Sequence, residues 1–398
     1  MKRIYDVLIG SHLEENRQIA LVTGPRQVGK TTAARSAAGE HAHFSWDRQA
    51  DRAIIMRGPD EVAERLRLTE LRDAPQHVVF DELHKYRSWR TFLKGFFDVY
   101  EASTRTVVTG SARLNFFRRG GDSLMGRYFL YRMHPVSVGE LARTNAADSL
   151  VHPPERVDAG SIADLVRFGG YPEPFLKGDA RFYSRWRRLR SELLFHEDLR
   201  DLTMIQDAGR VEVLGTLLSD RTAGLLNYST LAADLNASVD SVRRWTAALE
   251  ALYYSFTVRP WHRNVPKSLR KQPKVYLWDW SMVDDVGARN ENLVAAHLLK
   301  AVHWWTDVGL GTFDLFYLRD KAKREVDFLV TRDGNPWFLA EVKSSRGRLS
   351  PSLAHFQKAT GAAHAFQVVM DAEYVDADCF ASFGPTSVPA STFLSQLV

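Results

Sequence analysis

Cysteine is almost absent: Cys379 is the only one in 398 residues. This excludes a disulfide framework and a cysteine-clustered zinc site, and it fits a reducing, cytoplasmic setting. Also missing is any uninterrupted run of about 18 apolar residues, so no membrane span is expected. The opening MKRIYDVLIGSHLEENRQ has only a short apolar stretch before acidic residues, which does not read as a signal peptide. Neither sign of charge dominates, since 53 Lys+Arg against 48 Asp+Glu leave a net +5. No internal repeat or low-complexity tract is present. With 45% hydrophobic and 25% charged residues, the composition excludes disorder and fibrous architectures. The length suggests about two to four domains of a soluble protein.

Acids are missing locally as well. Residues 181–190 (RFYSRWRRLR) hold five arginines and no acid, and residues 259–274 (RPWHRNVPKSLRKQPK) hold six Lys/Arg and no acid. Such patches attract nucleic acid by neutralising phosphates. A solvated face or an inter-domain clamp has the same composition.

Three apolar runs share one form. Ile19–Thr23 ends in Gly24-Pro25-Arg26, His77–Phe80 ends in Asp81-Glu82, and Thr106–Thr109 ends in Gly110-Ser111. Buried parallel strands separated by helices look like this, so residues 1–140 read as an α/β domain. Residues 141–205 read as mostly helical, broken at Gly169-Gly170-Tyr171-Pro172. Within 206–265, Ser229–Leu235, Asn236-Ala237-Ser238 and Val239–Leu252 have the layout of a helix-turn-helix, with Ser238 or Asp240 capping the second helix. After a basic linker, residues 275–398 return to mixed strands and helices.

Gly24-Pro25-Arg26-Gln27-Val28-Gly29-Lys30-Thr31, followed by Thr32, matches G-x-x-x-x-G-K-[ST] without a gap. The glycines let the backbone wrap a phosphate, and N–H groups at the helix start point towards it. Lys30 is then expected on the β- and γ-phosphates of ATP, and the Thr31 hydroxyl on Mg²⁺. Asp81 is the expected second Mg²⁺ ligand, Glu82 the general base for the attacking water, and Ser111 a sensor of the γ-phosphate.

These segments, together with SLMGRYFLYRMHPVSVGEL and FGGYPEPF, resemble AAA+-superfamily ATPases of bacteria and archaea that carry an additional C-terminal domain. The resemblance implies an ASCE-type P-loop core, a helical lid, a winged helix and a C-terminal nuclease-like domain of mixed α/β fold. It also implies that Asp81-Glu82 are the Walker B acids. Arg127 holds the family's Gly-Arg position, and Arg26, Arg113 and Arg127 are candidates for an arginine finger.

Arg243, Arg244 and Trp245 fall on the second helix of the helix-turn-helix, where a DNA reader places its contacts. No Asn or Gln beside them suggests a base-reading code. Arg185, Arg187 and Arg188 are the corresponding residues of the first basic patch. Near the C-terminus, a strand around Asp327, a turn at Arg332-Asp333-Gly334-Asn335 and a strand Trp337–Lys343 are expected to form a hairpin. A three-residue turn centred on Gly334 sets Asp327 opposite Glu341, with Lys343 on the same face. Glu291, at the start of a helix Asn292–Val302, is expected to turn its carboxylate inward. Glu291, Asp327, Glu341 and Lys343 thus follow the PD-(D/E)xK pattern, in which carboxylates hold Mg²⁺ for phosphodiester cleavage. A fold that binds DNA without cutting fits the same residues.

The leading expectation is an ATP-hydrolysing motor on branched or duplex DNA, acting in remodelling, repair or recombination as a homo-oligomer, with a hexameric ring the candidate form. An ATP-gated, metal-dependent nuclease and a nucleotide-controlled switch for protein partners are the alternatives.

Overall fold

The strand Ile19–Thr23 (β1) is buried at all five positions, as a strand covered on both faces must be. With His43–Ser45 (β2), Gln76–Asp81 (β3), Thr104–Gly110 (β4) and Tyr128–Arg132 (β5) it forms a sheet in the order β2-β3-β4-β1-β5, parallel at every pairing. The sequence predicts β1, β3 and β4. Strand β2 has only three residues and β5 is half-exposed at the sheet edge, so neither has a strong apolar signature. Placing β4 between β1 and β3 brings the C-terminal ends of all three to one edge. The helix Trp89–Tyr100 covers the sheet with Trp89, Phe92, Leu93, Phe96 and Phe97, a helical spacing that packs Phe92 and Phe96 on Phe80.

The computed structural model describes residues 1–39, 42–111, 124–145, 149–202, 205, 207–262 and 272–398. It divides into Met1–His134 and Pro135–Val398. The boundary precedes the expected position at 140 because Pro135–Leu141 is committed to the second unit. The Val136 N–H donates to Gly170 O (2.7 Å), and a Cβ on Gly139 would come within 2.4 Å of Leu397 O. Lys300, from the helix Val286–Asp307, donates to Glu140 Oε2 at 2.6 Å and to Ser137 Oγ at 2.8 Å. Both ends of this ion pair are buried, so removing either alone would strand the other charge.

The second unit is mainly helical as far as Ala251, as expected. Phe168 ends one helix and Pro172 opens the next, with Gly169 at φ 78° between them. Helices Tyr228–Asp234 and Val239–Ala251 are joined through Asn236 at φ 47°, and the Ser238 hydroxyl caps the second by accepting from Ser241 N–H (3.1 Å). Beyond them lies a second sheet of Ser255–Pro260 (β6), Lys274–Leu277 (β7), Phe313–Arg319 (β8), Glu325–Arg332 (β9), Asn335–Lys343 (β10), His364–Val369 (β11) and Pro385–Pro389 (β12). Its order is β12-β11-β10-β9-β8-β6-β7. Strands on both sides of the expected division between 206–265 and 275–398 therefore share one sheet, because β6 pairs with β8 as well as with β7.

The hairpin joining β9 and β10 reaches its expected register by another route. Asp333 and Gly334, both at positive φ, make a two-residue turn, the geometry preferred by Asp-Gly. A bulge between Pro336 and Phe338 then shifts the pairing, so that Leu339 faces Leu329 and Ala340 faces Phe328. Continued one step, this register sets Glu341 opposite Asp327. Among the described residues, no helix is long and apolar enough to cross a membrane.

His297 gives the second unit a defined acid response. Its Nε2 accepts from Val138 N–H (3.0 Å) and its Nδ1–H donates to Leu293 O (2.7 Å), so the buried ring is held neutral. Burial pulls its pKa down to about 4. The unfolded chain takes a proton near pH 6.5 that the folded chain refuses until about pH 4, so stability contributed by the neutral ring is full above pH 6.5 and lost on acidification. Between those limits the wild type should lose about 1.4 kcal/mol per pH unit relative to His297→Gln. Urea denaturation of both proteins at pH 7.5 and pH 5 measures the difference; equal pH responses would remove His297 as its source.

Candidate functional site

The turn after β1 is shaped by backbone that few residues tolerate. Gly24 lies at φ 153°, and a Cβ there would come within 2.3 Å of Met133 O. Gln27 and Gly29 also have positive φ, at 63° and 104°. From below, the buried Arg3 guanidinium donates to Val28 O and His134 O, both at 2.8 Å, which fixes the loop before any ligand arrives. The helix Lys30–Ala38 starts at the loop without a side-chain cap, as at many anion sites. Lys30 is buried and donates to Gly24 O (3.0 Å) and Pro25 O (2.7 Å), so its ammonium already lies within the curl of the loop.

Asp81, at the end of β3, gathers the neighbouring strands. Its Oδ1 accepts from the Thr31 hydroxyl at 2.9 Å and from the Thr109 hydroxyl at the end of β4. Thr109 is a site residue that the sequence reading assigned only to the strand; its place just before Gly110-Ser111 was the available signal. Glu82 follows at φ 54°, a left-handed conformation that turns it out of the strand. Its Oε2 lies 3.6 Å from Lys85 Nζ and 3.7 Å from His84 Nε2, while Ser111 Oγ lies 3.1 Å from the same His84 nitrogen. Glu82 and Ser111 thus meet at His84. Thr31 and Asp81 supply two adjacent hard oxygens, a donor set that fits Mg²⁺ completed by water and phosphate.

The C-terminal residues come together in a different way. Glu291 lies inside the helix Val286–Asp307, which begins five residues earlier and is capped by Asp285. Glu291 Oε1 and Asp327 Oδ1 converge on Lys274 Nζ, at 3.1 and 3.2 Å, and Glu325 Oε1 joins them at 2.6 Å. Glu341 instead pairs with the half-exposed Lys343 at 2.6 Å. Burial, then Asp327, raises Glu291 to about pKa 7, while Lys274 and Tyr276 oppose the shift. Burial works against the charge on Lys274, but the three acids together outweigh it and keep the ammonium protonated. Among the described residues, no group of three or more His, Cys, Asp or Glu side chains is arranged to hold a metal ion. Of the metal set expected at Glu291, Asp327 and Glu341, the first two meet at an ammonium from β7, and Glu341 is paired apart from them with Lys343.

The basic stretches also divide. In the helix Ala180–Glu192, Arg185, Arg187 and Arg188 are exposed, whereas Trp186 and Arg190 are buried. Arg190 binds Asp279 at 3.3 Å and packs over the Tyr171 ring at 4.0 Å, so it belongs to the core. Lys274, counted in the second stretch, is buried among acids, and residues 263–271 lie outside the described residues. Arg243 and Arg244 are exposed, Arg243 resting 4.6 Å from the Tyr228 ring centroid, while Trp245 is core.

Comparison with known proteins gives the loop a family. Residues 16–142 match the model of the AAA domain. This segment is similar to an AAA domain. Residues 160–291 and 286–380 match two further models, each described as a domain of unknown function (DUF8612 and DUF4143). The uncharacterized proteins Rv2008c of Mycobacterium tuberculosis and Mb2031c of Mycobacterium bovis are each 23% identical over 342 residues, covering 84% of this chain and 72% of theirs. The uncharacterized protein MJ1544 of Methanocaldococcus jannaschii is 21% identical, covering 79% and 72%. Among solved structures, the Walker-type ATPase PABY2304 of Pyrococcus abyssi aligns with TM-score 0.42 at 15% identity, over 70% of this chain and 93% of that one. The replication initiator DnaA bound to AMPPCP and single-stranded DNA aligns with TM-score 0.32 at 12% identity, over 61% and 86%.

The AAA domain binds nucleotide and has the chemistry of an AAA+-type P-loop ATPase. Arg127 makes a two-pronged contact with Asp98, Nε to Oδ1 at 2.6 Å and Nη2 to Oδ2 at 3.0 Å, which holds the Asp98 carboxyl below its ordinary pKa. It precedes Tyr128, which pairs with Ile19 at the start of β1, while the phosphate loop follows Thr23 at the other end. At about 3.3 Å per residue, the length of β1 separates Arg127 from its own loop by roughly 13 Å. Arg26 is half-buried within the loop, and Arg113 lies outside the described residues.

In this AAA domain, Thr109→Val should lower ATP turnover while nucleotide binding persists, because Asp81 loses one of two hydroxyls that aim it. Lys30→Ala should weaken binding itself. Glu82→Gln should retain binding and lose about 10²–10⁴ in turnover, the usual weight of a general base. Steady-state hydrolysis and fluorescent-nucleotide binding separate these outcomes; wild-type turnover in Glu82→Gln would remove it as the base.

Proposed function

We propose that this chain is an AAA+ motor that hydrolyses ATP while gripping the DNA backbone, assembled as a homo-oligomeric ring on branched or duplex DNA. In this reading Lys30 meets the β- and γ-phosphates, Glu82 accepts the proton of the attacking water, and Ser111 registers the γ-phosphate through His84. Thr31 and Asp81 would hold Mg²⁺, which would supply positive charge to the phosphate oxygens. The adenosine triphosphate enters a loop that Arg3 and Met133 have already shaped.

The observation carrying the DNA reading is the pair of exposed arginine groups outside the AAA domain, Arg185, Arg187 and Arg188 on one helix and Arg243 and Arg244 on another. None of these five is buried in the core, unlike Arg190 of the first basic stretch and Lys274 of the second. Helices Ala208–Asp220, Tyr228–Asp234 and Val239–Ala251, the bridge between Leu225 and Lys274, and the antiparallel pair β6–β7 follow the order of a winged helix. Arg243 and Arg244 then lie early on its recognition helix, suited to phosphate contact rather than base reading. The helices between 141 and 205 take the place of the lid.

Affinity for duplex, forked and four-way DNA should fall steeply with salt, and Arg243→Ala with Arg244→Ala should reduce the slope of log K against log salt by about two. Fluorescence anisotropy from low to physiological salt measures both. A flat response, or an unchanged slope in the double variant, would favour the protein-partner switch.

Arg127 is proposed to complete the site of a neighbouring subunit, since its own loop lies at the far end of β1. Such a finger supplies about 10³–10⁵ in rate. Lys30→Ala and Arg127→Ala subunits, each inactive alone, should regain hydrolysis when mixed, because some interfaces then join an intact loop to an intact arginine. Continued inactivity of the mixture would place Arg127 outside this role.

A further inference from the structure

Acids gathered at one end of the second sheet are too concentrated to remain buried without a counter-charge, yet their common centre is filled from within the chain. Lys274 reaches it from β7 with only 4% of its side chain exposed. Its ammonium lies 2.6 Å from Glu325 Oε1, 3.1 Å from Glu291 Oε1 and 3.2 Å from Asp327 Oδ1. An ammonium offers three donors and accepts nothing, so one donor serves each carboxylate. Further donors engage the same acids, one of them at the oxygen of Glu291 that Lys274 already holds. The Tyr276 hydroxyl donates to Glu291 Oε1 (2.7 Å), Val342 N–H to Asp327 Oδ2 (3.0 Å), and Arg319 Nη1 to Glu325 Oε2 (3.1 Å).

Distance distinguishes this cage from a metal cage. Mg²⁺ requires oxygens at about 2.0–2.1 Å in an octahedral arrangement. These three stand at 2.6–3.2 Å around a nitrogen whose stem is fixed in a sheet strand. The fourth acid shows the limit of a three-donor cation. Glu341 is buried, its Oε1 pairs with Lys343, and its Oε2 has no hydrogen-bond partner.

We infer that Lys274 is an internal cation occupying the place of a divalent metal, so that the C-terminal acidic site holds no metal and cleaves no phosphodiester. Neither the matched families nor the pattern of acids and lysine around Glu341 assigns a role to Lys274. The sequence reading leaves bound Mg²⁺ and a non-cutting fold both open at these acids, and counts Lys274 only as part of a basic stretch.

The test uses the full chain and Mn²⁺ alone as the probe, followed by calorimetric titration and by melting temperature. Asp81→Asn identifies any binding that belongs to the phosphate loop, and Asp327→Asn any that belongs to the C-terminal acids. Wild type should show no Mn²⁺ binding that Asp327→Asn removes, and no cleavage of branched DNA in Mn²⁺. Lys274→Met should gain a binding event that Asp327→Asn abolishes, with saturating Mn²⁺ raising its melting temperature by about 5 °C. Asp327-dependent binding in wild type would overturn the inference, as would a folded Lys274→Met that gains none. If Lys274→Met does not fold, the variant combining it with Glu325→Gln removes one acid along with the cation and is read in the same way. Folding of either variant only with Mn²⁺ present supports the inference; failure of both to fold even with Mn²⁺ overturns it.

Discussion

Charge removed from water must bring its partners with it, and much of this chain's internal order follows from that constraint. Lys30, Arg190, Lys274 and Lys300 are all buried, and each is held differently. Lys30 rests on two carbonyl oxygens, Arg190 on Asp279 and an aromatic face, Lys274 on three carboxylates, and Lys300 on Glu140 with Ser137. Apolar packing alone would leave these elements some freedom to slide. A buried ion with a fixed number of donors does not, because a small shift strands a charge at a cost of about 3–5 kcal/mol.

The candidate ATPase site is legible in the sequence because its determinants are local. Gly24 to Thr31 are contiguous, and strand ends at Asp81 and Gly110 are marked by the change from apolar to polar residues. Thr109 was missed because a threonine at the end of an apolar run reads as strand. Its hydroxyl acquires meaning only when β4 is set beside β3, a fact of topology rather than of spacing. Lys274 was missed for a related reason. Its three partners come from a helix and from β9, and its own stretch is rich in Lys and Arg, which disguised a core residue as surface charge.

Composition also could not divide the basic stretches. Along the helix Ala180–Glu192, Trp186 and Arg190 are one helical turn apart and face the core, leaving Arg185, Arg187 and Arg188 to solvent. Helical periodicity separates them, but composition alone is the same for a solvated face and for a clamp, and arginine is seldom buried. The hairpin register was obtained correctly from the wrong turn. A two-residue Asp-Gly turn by itself gives a different pairing, and the bulge between Pro336 and Phe338 restores the one that faces Asp327 with Glu341. A single inserted residue in a strand is invisible to alternation counted over so few positions.

Lys30 carries a consequence for affinity. Its ammonium is already satisfied by Gly24 O and Pro25 O in a loop that Arg3 holds in shape. In the proposed nucleotide site, an incoming phosphate would compete with the protein's own carbonyls for the same donor. The strength of binding there would be set by the difference between two hydrogen-bonded states of Lys30, not by the attraction of a free cation. A loop that gripped its lysine less firmly would bind nucleotide more tightly and would release product more slowly.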